Sequence, residues 1–212
     1  MTHNKGVAYA ALLGDVIASR HSGDREELQH LLDDAMNRGN SAGQPVQPLR
    51  MTIGDEFQGL FGDVPAAISA SLQIRLRLRP TVDVRIGIGW GTLDLVPQDP
   101  PFGQDGPCWW RAREAIEEVK KSESSNSVPR SVRTLVKTGD GSDILFNAYL
   151  VSRDHITAGW DEVDLEIARL FMERMNQTAI SETVGLSQSS VSRRLQNHGI
   201  LAVLGYAPGL AE

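Results

Sequence analysis

The alternation of apolar and polar positions divides the chain into short strands and helices in mixed order. Val7 to Leu13 is an almost wholly apolar run closed by Gly14-Asp15, the pattern of a buried strand with a polar residue at its carboxyl end. Arg25 to Asn37 sets Leu28, Leu31, Leu32, Ala35 and Met36 on one helical face, with Gly39 as the expected stop. Pro45 to Thr52 and Glu56 to Phe61 are predicted strands on either side of a Gly54-Asp55 reversal. Asp63 and Pro65 open a helix that runs to Leu78, ahead of Pro80. Val82 to Trp90 alternates with period two and predicts a strand, Gly91 to Gly106 a loop, and Trp109 to Val119 a helix. Ser122 to Pro129 has the polarity of a surface loop, and Val132 to Val136 reads as a last strand. Asp143 to Asp154 places Ile144, Ala148 and Val151 on one face with Leu145 and Tyr149 beside it, so a buried helix is expected to join two modules.

From Trp160 onward only helical periodicity remains. Trp160, Val163, Ile167, Leu170 and Phe171 form one stripe, with acids crowding the amino-terminal end, where the helix dipole favours them. Ile180 and Val184 then face inward, Gly185 makes a turn, Leu186 plugs it, and Ser187 caps a further helix whose buried side is Val191 and Leu195. The S-x-x-x-V-S-R-x-L segment and its spacing resemble the helix-turn-helix of bacterial regulators. That resemblance implies Gln188, Ser189, Ser190, Ser192, Arg193 and Arg194 as the DNA-contacting set, with Arg194 toward the backbone. The expected organisation is therefore a first domain over 1–139, a connecting helix over 140–157 and a small all-α module over 158–212.

Composition narrows the classes. A chain of 212 residues with 41% apolar side chains supports one sizeable core and one small module. The single Cys108 and five scattered histidines exclude a disulfide framework and a Cys/His zinc site, and a reducing cytoplasm is expected. No apolar run is long enough to cross a bilayer, so no membrane partner is expected. A net charge of −6 excludes a surface that coats nucleic acid as a whole, and any DNA contact must be local.

The candidate chemistry lies in the first domain. Asp15 ends the first strand and Asp55 sits in the hairpin turn, where neighbouring strands can bring them together. Two carboxylates at such a place suit Mg²⁺ or Mn²⁺, which take hard oxygen ligands and leave positions for water and substrate phosphates. Glu56 is adjacent as a further oxygen donor or base.

The motifs carrying these residues resemble known families. MTIGDEFQGLF is similar to the hairpin of class III nucleotidyl cyclases and to the GGDEF motif of diguanylate cyclases. LLGDVIASR sits where that superfamily has its first metal aspartate, and VRIGIGWG is similar to its following strand. The ordered set, with a late AREAIE, also resembles the SatD family of bacterial proteins. The likeness implies a ferredoxin-like palm domain, α/β (α+β) with a mostly antiparallel sheet, followed by the helix-turn-helix. It further implies Asp15 and Asp55 as metal ligands, the backbone of Val16 and Ile17 with Arg20 and Arg85 near a nucleotide's phosphates, and Glu56, Arg111 and Arg113 as catalytic candidates. Met51 stands where adenylyl cyclases carry a base-reading lysine, and Trp110 and Glu114 stand where cyclases carry an asparagine and an arginine. The base identity of the nucleotide therefore stays open. Three functions are compatible: a nucleotide-responsive DNA-binding regulator acting as a homodimer, an active phosphoryl-transfer enzyme of the cyclase type, and a palm that only dimerises for DNA binding. The three glycines of GIGWG are expected to make room for close backbone approach.

Overall fold

A computed structural model describes residues 6–17, 25–52, 54–95 and 104–205. The chain divides into two compact units, Met1–Val151 and Ser152–Glu212.

The first unit begins with β1 (Ala8–Ile17), α1 (Arg25–Gly43), the hairpin β2 (Gln47–Met51) and β3 (Glu56–Phe61), α2 (Val64–Leu78) and β4 (Asp83–Thr92). Two short strands, β5 (Asp94–Leu95) and β6 (Gln104–Asp105), precede α3 (Pro107–Ser122) and β7 (Thr134–Lys137), and α4 (Asp143–Ala158) begins in the first unit and continues past Val151 into the second. The sheet order is β2-β3-β1-β4-β7. β3 and β4 flank β1 antiparallel, β2 pairs antiparallel with β3, and β7 runs parallel to β4, joined to it by the α3 crossover. The first six major elements thus give the βαββαβ order of a ferredoxin-like sheet.

Side-chain alternation assigns the two faces. Ala10, Leu12 and Val16 of β1, Phe57 and Phe61 of β3, and Val84, Ile86 and Ile88 of β4 face α1 and α2, where Leu32, Ala35, Met36, Ala67, Ala70 and Ile74 complete the larger core. Ala11, Leu13 and Leu60 point the other way, onto Cys108 and Ala112 of α3. That helix sits unusually close to β4. A Cβ on Gly87 or Gly89 would collide with the backbone of α3, at the Ala112 carbonyl and the Cys108 carbonyl respectively, so the expected close approach is realised there. Burial pushes the Cys108 thiol up to about 11.

Several elements differ from expectation. β1 continues past Gly14-Asp15 to Ile17 because Val16 and Ile17 remain in register with Val84 and Asp83. α1 runs through Gly39 to Gly43: a Cβ at Gly39 would lie 2.8 Å from Leu49 and 2.9 Å from Ile74, so this glycine serves close packing rather than termination. The expected 91–106 loop carries the β5-β6 pair. Helix α4 is not buried along its length; Ile144 and Leu145 are 72% and 79% exposed, whereas Leu150 is enclosed.

In the second unit, α5 (Glu162–Met172), α6 (Gln177–Val184), α7 (Gln188–Asn197) and α8 (Ile200–Leu204) surround Trp160, Leu165, Ile167, Ile180, Val191, Leu195, Ile200 and Val203. The starts of α5, α6 and α7 each have a capping side chain. Asp161 accepts from the Asp164 amide at 2.8 Å, Asn176 from Ala179 at 2.9 Å, and Ser187 from Ser190 at 3.2 Å. Gly185, with φ of 68°, supplies the left-handed residue that ends α6. Arg153 and Asp154 form a fully buried ion pair at 3.0 Å.

Candidate functional site

Strand pairing places Asp15 directly opposite Glu56 on one side and Arg85 on the other. Directly opposed residues share a sheet face, and here it is the face covered by α3. Asp55 is carried to the same strand end by the tight turn at Gly54, whose φ is 74°. The Thr52 amide closes that turn on the Glu56 carbonyl at 2.8 Å, and the Val16 amide donates to the Asp55 carbonyl at 3.0 Å. The residue after the first candidate ligand is therefore hydrogen-bonded, backbone to backbone, to the second, which is remote from it in sequence.

Cations converge on this strand end. Arg85 donates Nη1 to Asp15 Oδ2 at 3.0 Å and forks Nε and Nη2 onto Glu123 at 2.8 and 2.9 Å. Those contacts, with Glu123 first, raise the Arg85 pKa, and the same fork holds the Glu123 carboxyl below its ordinary range. Arg113 reaches both oxygens of Glu56 at 3.0 and 3.3 Å, which raises its own pKa. Lys120 stands 3.7 Å from Asp15 Oδ2 and 3.2 Å from Glu117.

The expected site residues separate accordingly. Asp15, Asp55, Glu56, Arg85 and Arg113 are brought together. Val16 is also there, but its amide is already used by Asp55, and Ile17 lies within the ladder. Arg111 is directed elsewhere: it donates to the Trp90 carbonyl at 2.7 Å. Glu114 faces Lys137 at 3.8 Å, and Trp110 is 58% exposed with its indole N–H on Asp105. Arg20 lies outside the described residues. Lys120 and Glu123 are participants that motif reasoning did not single out. The signal for Lys120 was present in the i, i+4, i+7 spacing of Arg113, Glu117 and Lys120, which puts all three on one side of α3.

Among the described residues, no group of three or more His, Cys, Asp or Glu side chains is arranged as a metal cage. Asp15 and Asp55, whose backbones meet at one strand end, offer the hard oxygen donors that Mg²⁺ or Mn²⁺ takes when water and phosphate fill the rest of its shell, not the four-ligand set of a closed structural site. A cleft of about 430 Å³, lined by Lys121, Val128, Val132, Asn147 and Val151 among others, contains none of the expected site residues. No described helix is long and apolar enough to cross a membrane.

In the second unit, Gln188, Ser189 and Arg193 are exposed on α7, and Ser190 and Ser192 are half-buried. Arg193 donates Nη2 to the Ser190 hydroxyl at 3.3 Å. Arg194 is held by Asp161 at 3.0 Å and by the buried Asp164 at 2.8 Å, while His198 meets the other Asp164 oxygen at 2.8 Å.

Comparison with known proteins gives three findings. The family model of the SatD family matches residues 9–205. Two solved chains, both described as the structure of a bacterial light-regulated adenylyl cyclase, are similar in fold. One is 16% identical over 61% of this chain and 75% of that chain, with a TM-score of 0.45. The other is 17% identical over 61% of this chain, with a TM-score of 0.44, and this chain spans 43% of its length. No curated protein matches.

Proposed function

This chain belongs to the SatD family, and we propose that it is a regulatory protein that binds a nucleotide with Mg²⁺ or Mn²⁺ in its first unit and double-stranded DNA through its second. The observation that carries the nucleotide half is the hydrogen bond from the Val16 amide to the Asp55 carbonyl at 3.0 Å, which fixes two aspartates at one strand end. A divalent ion held there screens the phosphates it also ligates, and Lys120, the least engaged of the nearby cations, supplies further positive charge. Binding is favoured over turnover because Arg111 is engaged by a backbone carbonyl and Arg113 by Glu56, so neither is free in this state for a transferring phosphoryl group.

The DNA half rests on α7. Its amino-terminal end offers Gln188 and Ser189, and the exposed Arg193 donates to a neutral hydroxyl, which leaves its charge for phosphate or a guanine edge. Arg194 instead belongs to the frame that holds α7 in place. A homodimer on a palindromic site would match the short reach of one such helix.

Thermal unfolding of the full chain across a nucleotide panel, with and without Mg²⁺ or Mn²⁺, tests the first half. At 100 times Kd, a ligand that binds only the folded state adds about 2.7 kcal/mol. A metal-dependent rise of several degrees with one nucleotide, absent in Asp15→Ala, is the expected result. No metal-dependent rise with any nucleotide overturns the reading.

A further inference from the structure

The cations around Asp15 are not equivalent. Arg85 makes three N–H contacts, one to Asp15 and two to Glu123, and its side chain is 19% exposed. Lys120 approaches the same Asp15 oxygen at 3.7 Å, beyond hydrogen-bond reach, and donates instead to Glu117 at 3.2 Å on its own helix. The Lys120 side chain is 36% exposed and hangs on a flexible four-carbon stem. One oxygen of Asp15 is thus neutralised twice, by a fixed cation and by a loose one. Along α3, Arg113 and Lys120 bracket the strand end, the first on Glu56 and the second on Asp15.

We propose that Lys120 is an exchangeable counter-ion. Without metal it neutralises Asp15; when a divalent ion takes that carboxylate, the ammonium moves to the terminal phosphates of the bound nucleotide while Arg85 stays with Glu123. This rests on the reading of Asp15 and Asp55 as a metal pair.

The physical reason is competition at one oxygen. A divalent ion at a carboxylate repels a neighbouring ammonium, and the least anchored cation is the one displaced. A triphosphate brings more negative charge than one divalent ion offsets, so the released ammonium finds a new partner within reach of its stem. Arg85 cannot make that move without breaking its fork on Glu123.

Lys120→Ala tests the exchange, because it predicts changes of opposite sign. The Lys120 side chain is partly exposed and fills no core position, and alanine favours helix, so the substitution leaves the fold of α3 in place. Binding of Mn²⁺ alone is followed by the loss of free-ion electron paramagnetic resonance signal. Binding of inorganic triphosphate in saturating Mn²⁺, a probe without a base, is followed by calorimetry. Lys120→Ala should bind Mn²⁺ about three- to tenfold tighter than the unmodified protein and Mn²⁺-triphosphate at least tenfold weaker, with Lys120→Arg restoring part of the latter. If both affinities fall together, or neither changes, Lys120 has no such exchange role and the inference is wrong. If the unmodified protein binds no Mn²⁺, or Asp15→Asn binds it equally well, the metal-pair reading itself fails and takes this inference with it.

Discussion

Glu123 has the most constrained carboxylate near the candidate site, with both oxygens on the Arg85 guanidinium and Arg133 3.8 Å away. Its native pKa is lowered chiefly by the Arg85 hydrogen bonds. A depressed carboxylate pKa adds stability that is complete above the unfolded value, about 4.3 for glutamate, and is lost as pH falls through the native value. Glu123→Gln should therefore cost about 1 kcal/mol at pH 7, and the gap from the unmodified protein should close as the pH of the melting experiment is lowered below 4. A gap that stays constant with pH would show that the fork contributes nothing electrostatic. Asp164 is the corresponding residue in the second unit. It is buried and serves both Arg194 and His198, so Asp164→Asn leaves two donors poorly matched and should lower stability by about 1–3 kcal/mol, read as a fall in Tm.

Among the elements, α3 sets the geometry of the strand end, and its seat is the glycine file of β4. Gly89→Ala pushes a methyl group into the backbone of α3 and should cost about 1–3 kcal/mol, because a helix backbone cannot turn aside as a side chain can. Gly185→Ala meets no atom within 4 Å and bears only the left-handed backbone cost, about 1 kcal/mol. Chemical denaturation of the two variants should rank them in that order. The same elements show what the sequence made legible. Asp63, Pro65 and Pro80 are local signals, and α2 occupies the range they predict. The GDEF hairpin is equally local, and β3 starts at the predicted Glu56. The continuation of α1 through Gly39 depends on Leu49 and Ile74, which are remote in sequence, so the local stop signal misleads there. The apolar pattern of α4 indicates a hydrophobic face without saying whether anything covers Ile144 and Leu145. At the candidate site, Asp15 and Asp55 could be named from motifs. The choice between Arg111 and Arg113 required the rotation of α3 on the sheet, which the sequence does not record.

For the molecule as a whole, a net charge of −6 requires that any DNA contact be carried by few cations. Arg193→Ala should then reduce the slope of log K against log[salt] by about 1. Arg194→Ala should leave that slope unchanged and lower Tm instead, because its charge is already matched by Asp161 and Asp164. Equal slope changes in the two variants would return Arg194 to the contact surface.

Cys108 offers one further measurement of the whole chain. It is the only cysteine, it is fully enclosed between α3 and the sheet, and its thiol stays protonated at neutral pH. A thiol reagent therefore has to wait until this helix lifts from the strands before it can react. The rate of labelling in native buffer is a clock for that opening, built into the chain without any added probe. If metal and nucleotide lock α3 against the strand end, the clock should slow as they bind.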